Sequence, residues 1–355
     1  MSQAKKIYLI DRLSQLGDKL NNPDEALRAL IETEQHYNAW FTPLNTMNAV
    51  KAIGGMLNRE DLAVWLSPEP GARSPESEKP AQDSGLQAQG SKNVGLILAG
   101  NIPLVGFHDV LCVLVSRHHA MIKASTQDAR LIKHLLNMLV EIAPEFAGSF
   151  SFVERLANFD AVIATGSNNT SRYFEYYFGK VPHIIRKNRN SVTVLTGIES
   201  TEQLFLLGHD IFDFFGLGCR NVSKLWVPKA YDFVPFFEAI EPHADIINHH
   251  KYRNNYDYNK SIYLVNGDKH LDNGFLLVKE DERLASPLAV LYFEYYNDLD
   301  DAQIRLAGLS EQIQCIVSET ELHLDNQVVG FGESQKPKLW DYADGVDTMA
   351  FLNTL

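Results

Sequence analysis

Between residues 94 and 165 the chain alternates short apolar runs with helix-spaced segments, and this restricts the possible folds more than any other feature. Val94-Gly95-Leu96-Ile97-Leu98 reads as a buried strand, a helical stretch follows from Pro103, and Ala120-Met121-Ile122-Lys123 reads as a second strand. Strand, crossover helix and strand make a βαβ unit, which implies parallel pairing. The next helix carries Leu131, Leu135, Met138 and Ile142 at helical spacing, and Ala161-Val162-Ile163-Ala164-Thr165 follows as another buried strand. The expected fold class is α/β, with a doubly wound sheet.

On either side of this core the pattern changes. The first 60 residues read as helices, with Asn22-Pro23-Asp24-Glu25 offering a cap, a first-turn proline and acids at the positive helix end. Residues 68–92 contain no aromatic residue and one large aliphatic, Leu86, so they cannot bury enough surface to offset their ordering entropy and read as a flexible loop or linker. Beyond about residue 188 the strands become longer-spaced and aromatic-rich, as in Tyr231-Asp232-Phe233-Val234-Pro235-Phe236-Phe237, consistent with a second lobe.

Composition excludes several function classes. With 45 acidic against 32 basic residues, the net charge of −13 opposes nonspecific binding to nucleic acid or an anionic membrane. No apolar run approaches the roughly 18 residues needed to span a bilayer, and the N-terminus reaches charged residues too soon for a signal-peptide core. Three cysteines without paired spacing argue against a disulfide framework, and no CxxC or Cys/His cluster suggests a metal. A cytoplasmic, metal-free protein is expected. No GxGxxG follows the first strand and no GxxxxGK[ST] occurs, so neither standard phosphate-binding fingerprint is available.

Three places could carry chemistry. Cys219 lies in Phe214-Phe215-Gly216-Leu217-Gly218-Cys219-Arg220-Asn221, where the glycines permit close approach of a substrate and Arg220 and Lys224 supply positive charge that would lower the thiol pKa. Cys112 and Cys315 lie in apolar runs, where burial keeps a thiol neutral and inert. Ala99-Gly100-Asn101-Ile102-Pro103 places a carboxamide at a strand's carboxyl edge, either as an oxyanion donor or as a helix cap. Thr165-Gly166-Ser167-Asn168-Asn169-Thr170 opens a helix with small and hydroxyl residues, suited to a phosphate or to capping alone. His249 and His250 lack a carboxylate partner at ligand spacing, and Asp341, Asp344 and Asp347 do not fit a calcium loop.

The order Gly100-Asn101-Ile102-Pro103, Lys123-Ala124-Ser125, Thr165-Gly166-Ser167 with Arg172, and Gly216-x-x-Cys219-x-x-x-x-Lys224 resembles the aldehyde dehydrogenase superfamily. The phrases GNIPLVGFHDVLCVLVSRHHAMIKAS and FFGLGCRNVSKLWVP are more closely similar to its LuxC-like acyl-CoA reductase family. The resemblance runs from about residue 94 to the C-terminus and more loosely over the N-terminal helices. It implies an aldehyde dehydrogenase-like fold in which 1–67 are the helical part of the cofactor domain, 68–92 a linker, 93–187 the dinucleotide-binding domain, 188–335 the catalytic domain and 336–355 a C-terminal segment.

The same resemblance implies NAD(P)H-dependent reduction of an acyl thioester, acyl-CoA or acyl-carrier, to an aldehyde, with a homo-oligomer left open. Cys219 takes the nucleophile's place and Asn101 the oxyanion donor's. Lys123, with Ser125 and Thr126, falls where the adenosine ribose or its phosphate is contacted, and Gly166 and Ser167 fall at the pyrophosphate. Many NAD-preferring relatives carry a glutamate where this chain has Thr126, so NADPH is the expected cofactor, with NADH the alternative. Two departures stand out. Arg186 occupies the hydrolytic general base's place, and Glu282 lies one residue early for the glutamate that orients the nicotinamide ribose. An acyl-phosphate reductase using Arg186, Lys187 and Arg189, and a non-catalytic dinucleotide-binding module, are the alternatives.

Overall fold

The computed structural model describes residues 3–67, 90–166 and 168–355. Ser167 and most of the 68–92 segment lie outside the described residues, and with them the linker reading. The chain forms two compact units, Met1–Asn188 with Pro337–Leu355, and Arg189–Lys336. No helix among the described residues is long and apolar enough to cross a membrane.

The first unit opens with helices α1 (Gln3–Asn21), α2 (Glu25–Thr33), α3 (Pro43–Met56) and α4 (Arg59–Trp65). Asp24 caps α2, its side chain accepting the Leu27 N–H at 2.8 Å, so Pro23 precedes the cap instead of occupying the first turn. The helices bury Leu13, Leu16, Leu20, Leu27 and Ile31 in one core with the sheet that follows. That sheet comprises β1 (Asn93–Ile97), α5 (Phe107–Val115), β2 (His119–Lys123), α6 (Ala129–Ile142), β3 (Phe150–Phe152), β4 (Ala161–Thr165), α7 (Asn168–Phe178) and β5 (His183–Arg186). Its order is β3-β2-β1-β4-β5, every pair parallel, with Leu96 opposite both Ile122 and Ile163. The strands are apolar because helices cover both faces.

Winding runs outward from β1 to β3, then resumes on the other side of β1 with β4. The winding therefore reverses between β1 and β4, and open α/β sheets bind ligands at the carboxyl ends of the strands at such a point. The C-terminal segment returns to this unit: Leu339 and Leu352 join its core, and His108 and His118 hydrogen-bond the Leu339 and Leu352 carbonyls at 2.9 and 3.0 Å.

The second unit contains β6 (Asn190–Val194), α8 (Thr201–Phe212), β7 (Val222–Pro228), α9 (Val234–Ile240), α10 (His250–Asn266), β8 (Leu271–Asp272), β9 (Leu277–Glu280), β10 (Val290–Tyr296), α11 (Leu299–Ala307), β11 (Ile313–Val317) and β12 (Val328–Val329). The sheet order is β12-β11-β6-β7-β10-β9-β8, parallel except for β8 with β9. On β7, Leu225 and Val227 pack with α8 and α9, while Trp226 packs with Ala302 and Leu306 of α11. The aromatic Tyr231–Phe237 stretch is no strand: α9 begins at Val234, with Pro235 in its first turn, where a missing N–H costs nothing.

Candidate functional site

In the first unit the cofactor-motif residues gather at the carboxyl edge of the sheet. Lys123 ends β2 and is exposed, Thr126 follows in an exposed turn, and half-buried Ser125 accepts the Gln127 N–H through its hydroxyl at 3.3 Å. Gly166 follows β4, and a Cβ there would stand 2.8 Å from the Phe174 ring, so only glycine lets α7 pack against this strand end. Asn101 lies in the loop after β1 and is exposed. The helix expected from Pro103 starts only at Phe107, with Gly106 as N-cap and no side-chain cap bond, so Asn101 does not cap it. The intervening residues are turns, with Leu104 at φ 60°.

That left-handed Leu104 is held from the neighbouring loop. Asp128, buried at the start of α6, accepts the Leu104 N–H at 2.7 Å. Burial pushes the Asp128 carboxyl well above the usual range, against the pull of that N–H, and the nearby charge of Glu34 raises it further. Glu34 is itself buried and raised by desolvation, with Arg130 3.2 Å away opposing the shift.

In the second unit Cys219 is exposed, while Cys112 and Cys315 are buried as their apolar runs require. Burial raises the Cys112 thiol well above its ordinary value, with Asp109 adding to it. Cys219 sits in a four-residue turn closed by the Asn221 N–H to the Gly218 carbonyl at 3.1 Å. Gly216, just upstream, adopts φ +77°, which its lack of a Cβ permits. Ser191 on β6 donates its hydroxyl to the Cys219 carbonyl at 2.9 Å and stands 3.1 Å from the Cys315 sulfur.

Several expected charges are committed elsewhere. Lys224 is fully buried on β7, where desolvation lowers its pKa to about 8. Its ammonium donates to Glu294 at 2.5 Å and to the Glu282 carbonyl at 2.8 Å, and Arg305 pairs with the same Glu294, so Lys224 is held by two acceptors of the neighbouring strand and loop. Arg220 donates to Gln327 at 3.1 Å. Arg186 is buried and paired with Asp109 at 2.7 and 2.8 Å, Lys187 pairs with Glu175 at 3.3 Å, and Arg189 donates to the Ile313 carbonyl at 3.3 Å. His249 is the N-cap of α10, accepting the Tyr252 N–H at 3.4 Å.

Sequence reasoning missed Asn221, Asp210, Ser191 and Asp128, all buried polar residues beside these loops. A buried amide or carboxyl must be satisfied by partners that only the tertiary fold supplies. Asn221 alone lay next to the motif, and its position two residues after Cys219 was the available signal.

The acyl-CoA reductase (LuxC) family matches residues 4–183, which include the N-terminal helices and end before Cys219. No curated protein matches the chain in sequence. Among solved structures, a betaine aldehyde dehydrogenase from Staphylococcus aureus is 12% identical, covering 90% of this chain and 74% of its own, with a TM-score of 0.63. The aldehyde dehydrogenase KauB from Pseudomonas aeruginosa is 12% identical over 93% of this chain and 76% of its own, TM-score 0.61. The NADP-dependent glyceraldehyde-3-phosphate dehydrogenase from Bacillus halodurans, solved with NADP, is 14% identical over 93% and 78%, TM-score 0.59. At such identities these structures speak for the fold, which is that of the aldehyde dehydrogenases. With the family match spanning just over half of the chain, the protein is an oxidoreductase of the acyl-CoA reductase (LuxC) family.

Proposed function

We propose that the protein reduces an acyl thioester, carried on CoA or on a carrier protein, to an aldehyde through an acyl group held on Cys219. The observation that carries this reading is an exposed cysteine at the corner of a tethered turn, in a chain of the acyl-CoA reductase family. The Cys219 thiolate attacks the thioester carbonyl, a new C–S bond forms, and the carrier thiolate leaves with its electron pair and takes up a proton. By the family resemblance Asn101, exposed and not the N-cap of α5, takes the role of amide donor to the oxyanion. When the reduced acyl group departs, the C–S bond to Cys219 breaks and the thiol is restored.

NAD(P)H would bind at the carboxyl ends of β1 and β4, where the winding reverses, with Lys123 and Thr126 exposed at the end of β2. When bound, it supplies the hydride that takes the acyl group to the aldehyde level. NADPH is the preferred form, since Thr126 presents no carboxylate against a 2′-phosphate and Lys123 offers a cation. Three free cysteines fit a reducing, cytoplasmic setting. An acyl-phosphate substrate is disfavoured, because Arg186 is sealed in an ion pair and Lys187 and Arg189 have other partners.

The test is Cys219→Ala. Mass spectrometry on the wild type, incubated with acyl-CoA and no reductant, should find one acyl group on Cys219, and the variant should neither acylate nor turn over. Turnover surviving in purified Cys219→Ala ends the mechanism, while Cys112→Ala and Cys315→Ala should keep the chemistry and lose only stability.

A further inference from the structure

Asn221 is 3% exposed, and its carboxamide is used on both sides. Its Oδ1 accepts the Gly218 N–H at 2.8 Å, and its Nδ2 donates to the Asp213 carbonyl at 2.7 Å and the Asp210 carbonyl at 3.1 Å, at the end of α8. One side chain therefore ties the turn that carries Cys219 to the helix that precedes it. The backbone between these anchor points is strained. Phe214, Phe215 and Gly216 lie consecutively in the left-handed region, at φ 54°, 59° and 77°. Two non-glycine residues there are unfavourable and persist only where the surroundings hold them. Release of either phenylalanine to the ordinary region would swing the following residues, Cys219 among them. The Ser191 hydroxyl, on the Cys219 carbonyl at 2.9 Å, is a second tether, from β6.

We propose that Asn221, seconded by Ser191, is the positioning residue of the nucleophile: it keeps the strained Phe214–Gly216 backbone wound and so fixes where the Cys219 thiol stands. Its partners are all main-chain groups, so it acts through the turn and not on the substrate. This inference rests on the reading of Cys219 as the nucleophile.

The experiment compares Asn221→Ala, Ser191→Ala and Cys219→Ala in the full chain, following acyl-CoA reduction, the rate of Cys219 alkylation by iodoacetamide, and thermal melting. Misplacement of a reacting group by about 1 Å costs on the order of 100-fold. Folded Asn221→Ala should accordingly lose about 100-fold in kcat with KM within about threefold, and Ser191→Ala about tenfold. The alkylation rate of Cys219 should change in both variants, which a merely structural loss in a protein that still melts cooperatively would not produce. If Asn221→Ala fails to fold, Ser191→Ala decides by the same criteria. Wild-type kcat in the folded variants, or a loss confined to KM, overturns the positioning role while leaving the nucleophile in place if Cys219→Ala is dead. Turnover by Cys219→Ala instead overturns the nucleophile reading itself.

Discussion

Arg186 and Asp109 form a two-point ion pair inside the first unit, guanidinium nitrogens 2.7 and 2.8 Å from the two carboxylate oxygens, with the Thr348 hydroxyl accepting from the same guanidinium at 3.0 Å. Arg186 ends β5, Asp109 stands in the first turn of α5, and Thr348 opens the short C-terminal helix. One guanidinium thus bolts a strand, a helix and the returning C-terminus together. It also fills the place where the superfamily resemblance would put the water-activating carboxylate, and a guanidinium cannot take a proton.

The pair should be structural, with a measurable cost of breaking it. Removing one partner of a buried ion pair leaves the other uncompensated, typically costing about 3–5 kcal/mol. Arg186→Met and Asp109→Asn should each lose stability of that order in urea unfolding. Arg186→Glu should do worse, facing Asp109 with a second carboxylate, and should yield unfolded protein in place of a hydrolase. Run backwards with aldehyde and oxidised cofactor, the wild type should make thioester when CoA is supplied and almost no free acid without it. Rapid CoA-independent acid formation would show that another group activates water.

Asn101→Ala and Asp128→Ala should both lower kcat, for different physical reasons. Asn101 is exposed and is not the N-cap of α5, and Asn101→Ala should lose roughly 10²–10³ in kcat, the scale for one oxyanion donor. Asp128→Ala orphans the Leu104 N–H, a loss of about 1–3 kcal/mol, and loosens the same loop. It should therefore lower both the melting temperature and kcat. A change in Asn101→Ala confined to KM would reduce that residue to substrate placement.

What the sequence made legible is what periodicity encodes. β1, β2, β4 and the buried face of α6 follow from apolar runs and helical spacing, and the contrast between exposed Cys219 and buried Cys112 and Cys315 follows from their neighbours. Orientation and long-range return were not legible. Lys224 looked like a charge for the thiol because it lies five residues on, but as a buried strand residue it is committed to Glu294. Phe214 and Phe215 gave no local sign of left-handed backbone, since phenylalanine is disfavoured there and only tertiary contacts sustain it. The Tyr231–Phe237 stretch misled because aromatic residues favour strands, whereas Pro235 and burial against α8 make it helical.

Cofactor choice should turn on one side chain. Thr126 is exposed beside the end of β2, close in sequence to Lys123. The wild type should show a higher kcat/KM with NADPH than with NADH. Thr126→Glu should lower the NADPH value by about tenfold or more, through repulsion of the 2′-phosphate, and leave NADH within a few fold. A wild-type preference for NADH refutes the assignment.

The last prediction concerns pH and the buried carboxyl of Asp210, near the turn that carries Cys219. Asp210 is fully buried, and its carboxylate accepts the Gly332 N–H at 2.6 Å and the Ser334 N–H at 3.0 Å. Burial raises its pKa from 3.8 to about 6, against the pull of those N–H groups, with Asp213 adding to the rise. The folded state therefore holds this proton more tightly than the unfolded chain does. The stability it contributes is fully present below the unfolded value and is lost as pH rises through about 6. Asp210→Asn cannot ionise, but it turns an amide N–H toward one of two donors and loses a hydrogen bond. The variant should thus be less stable than the wild type near pH 5, and the gap should narrow by roughly 1 kcal/mol by pH 7.5 as the wild type begins to bear a buried charge. Urea unfolding of both proteins across that range measures the gap directly. A gap that stays constant, or widens toward alkaline pH, would mean that the Gly332 and Ser334 N–H groups hold Asp210 ionised in the folded state.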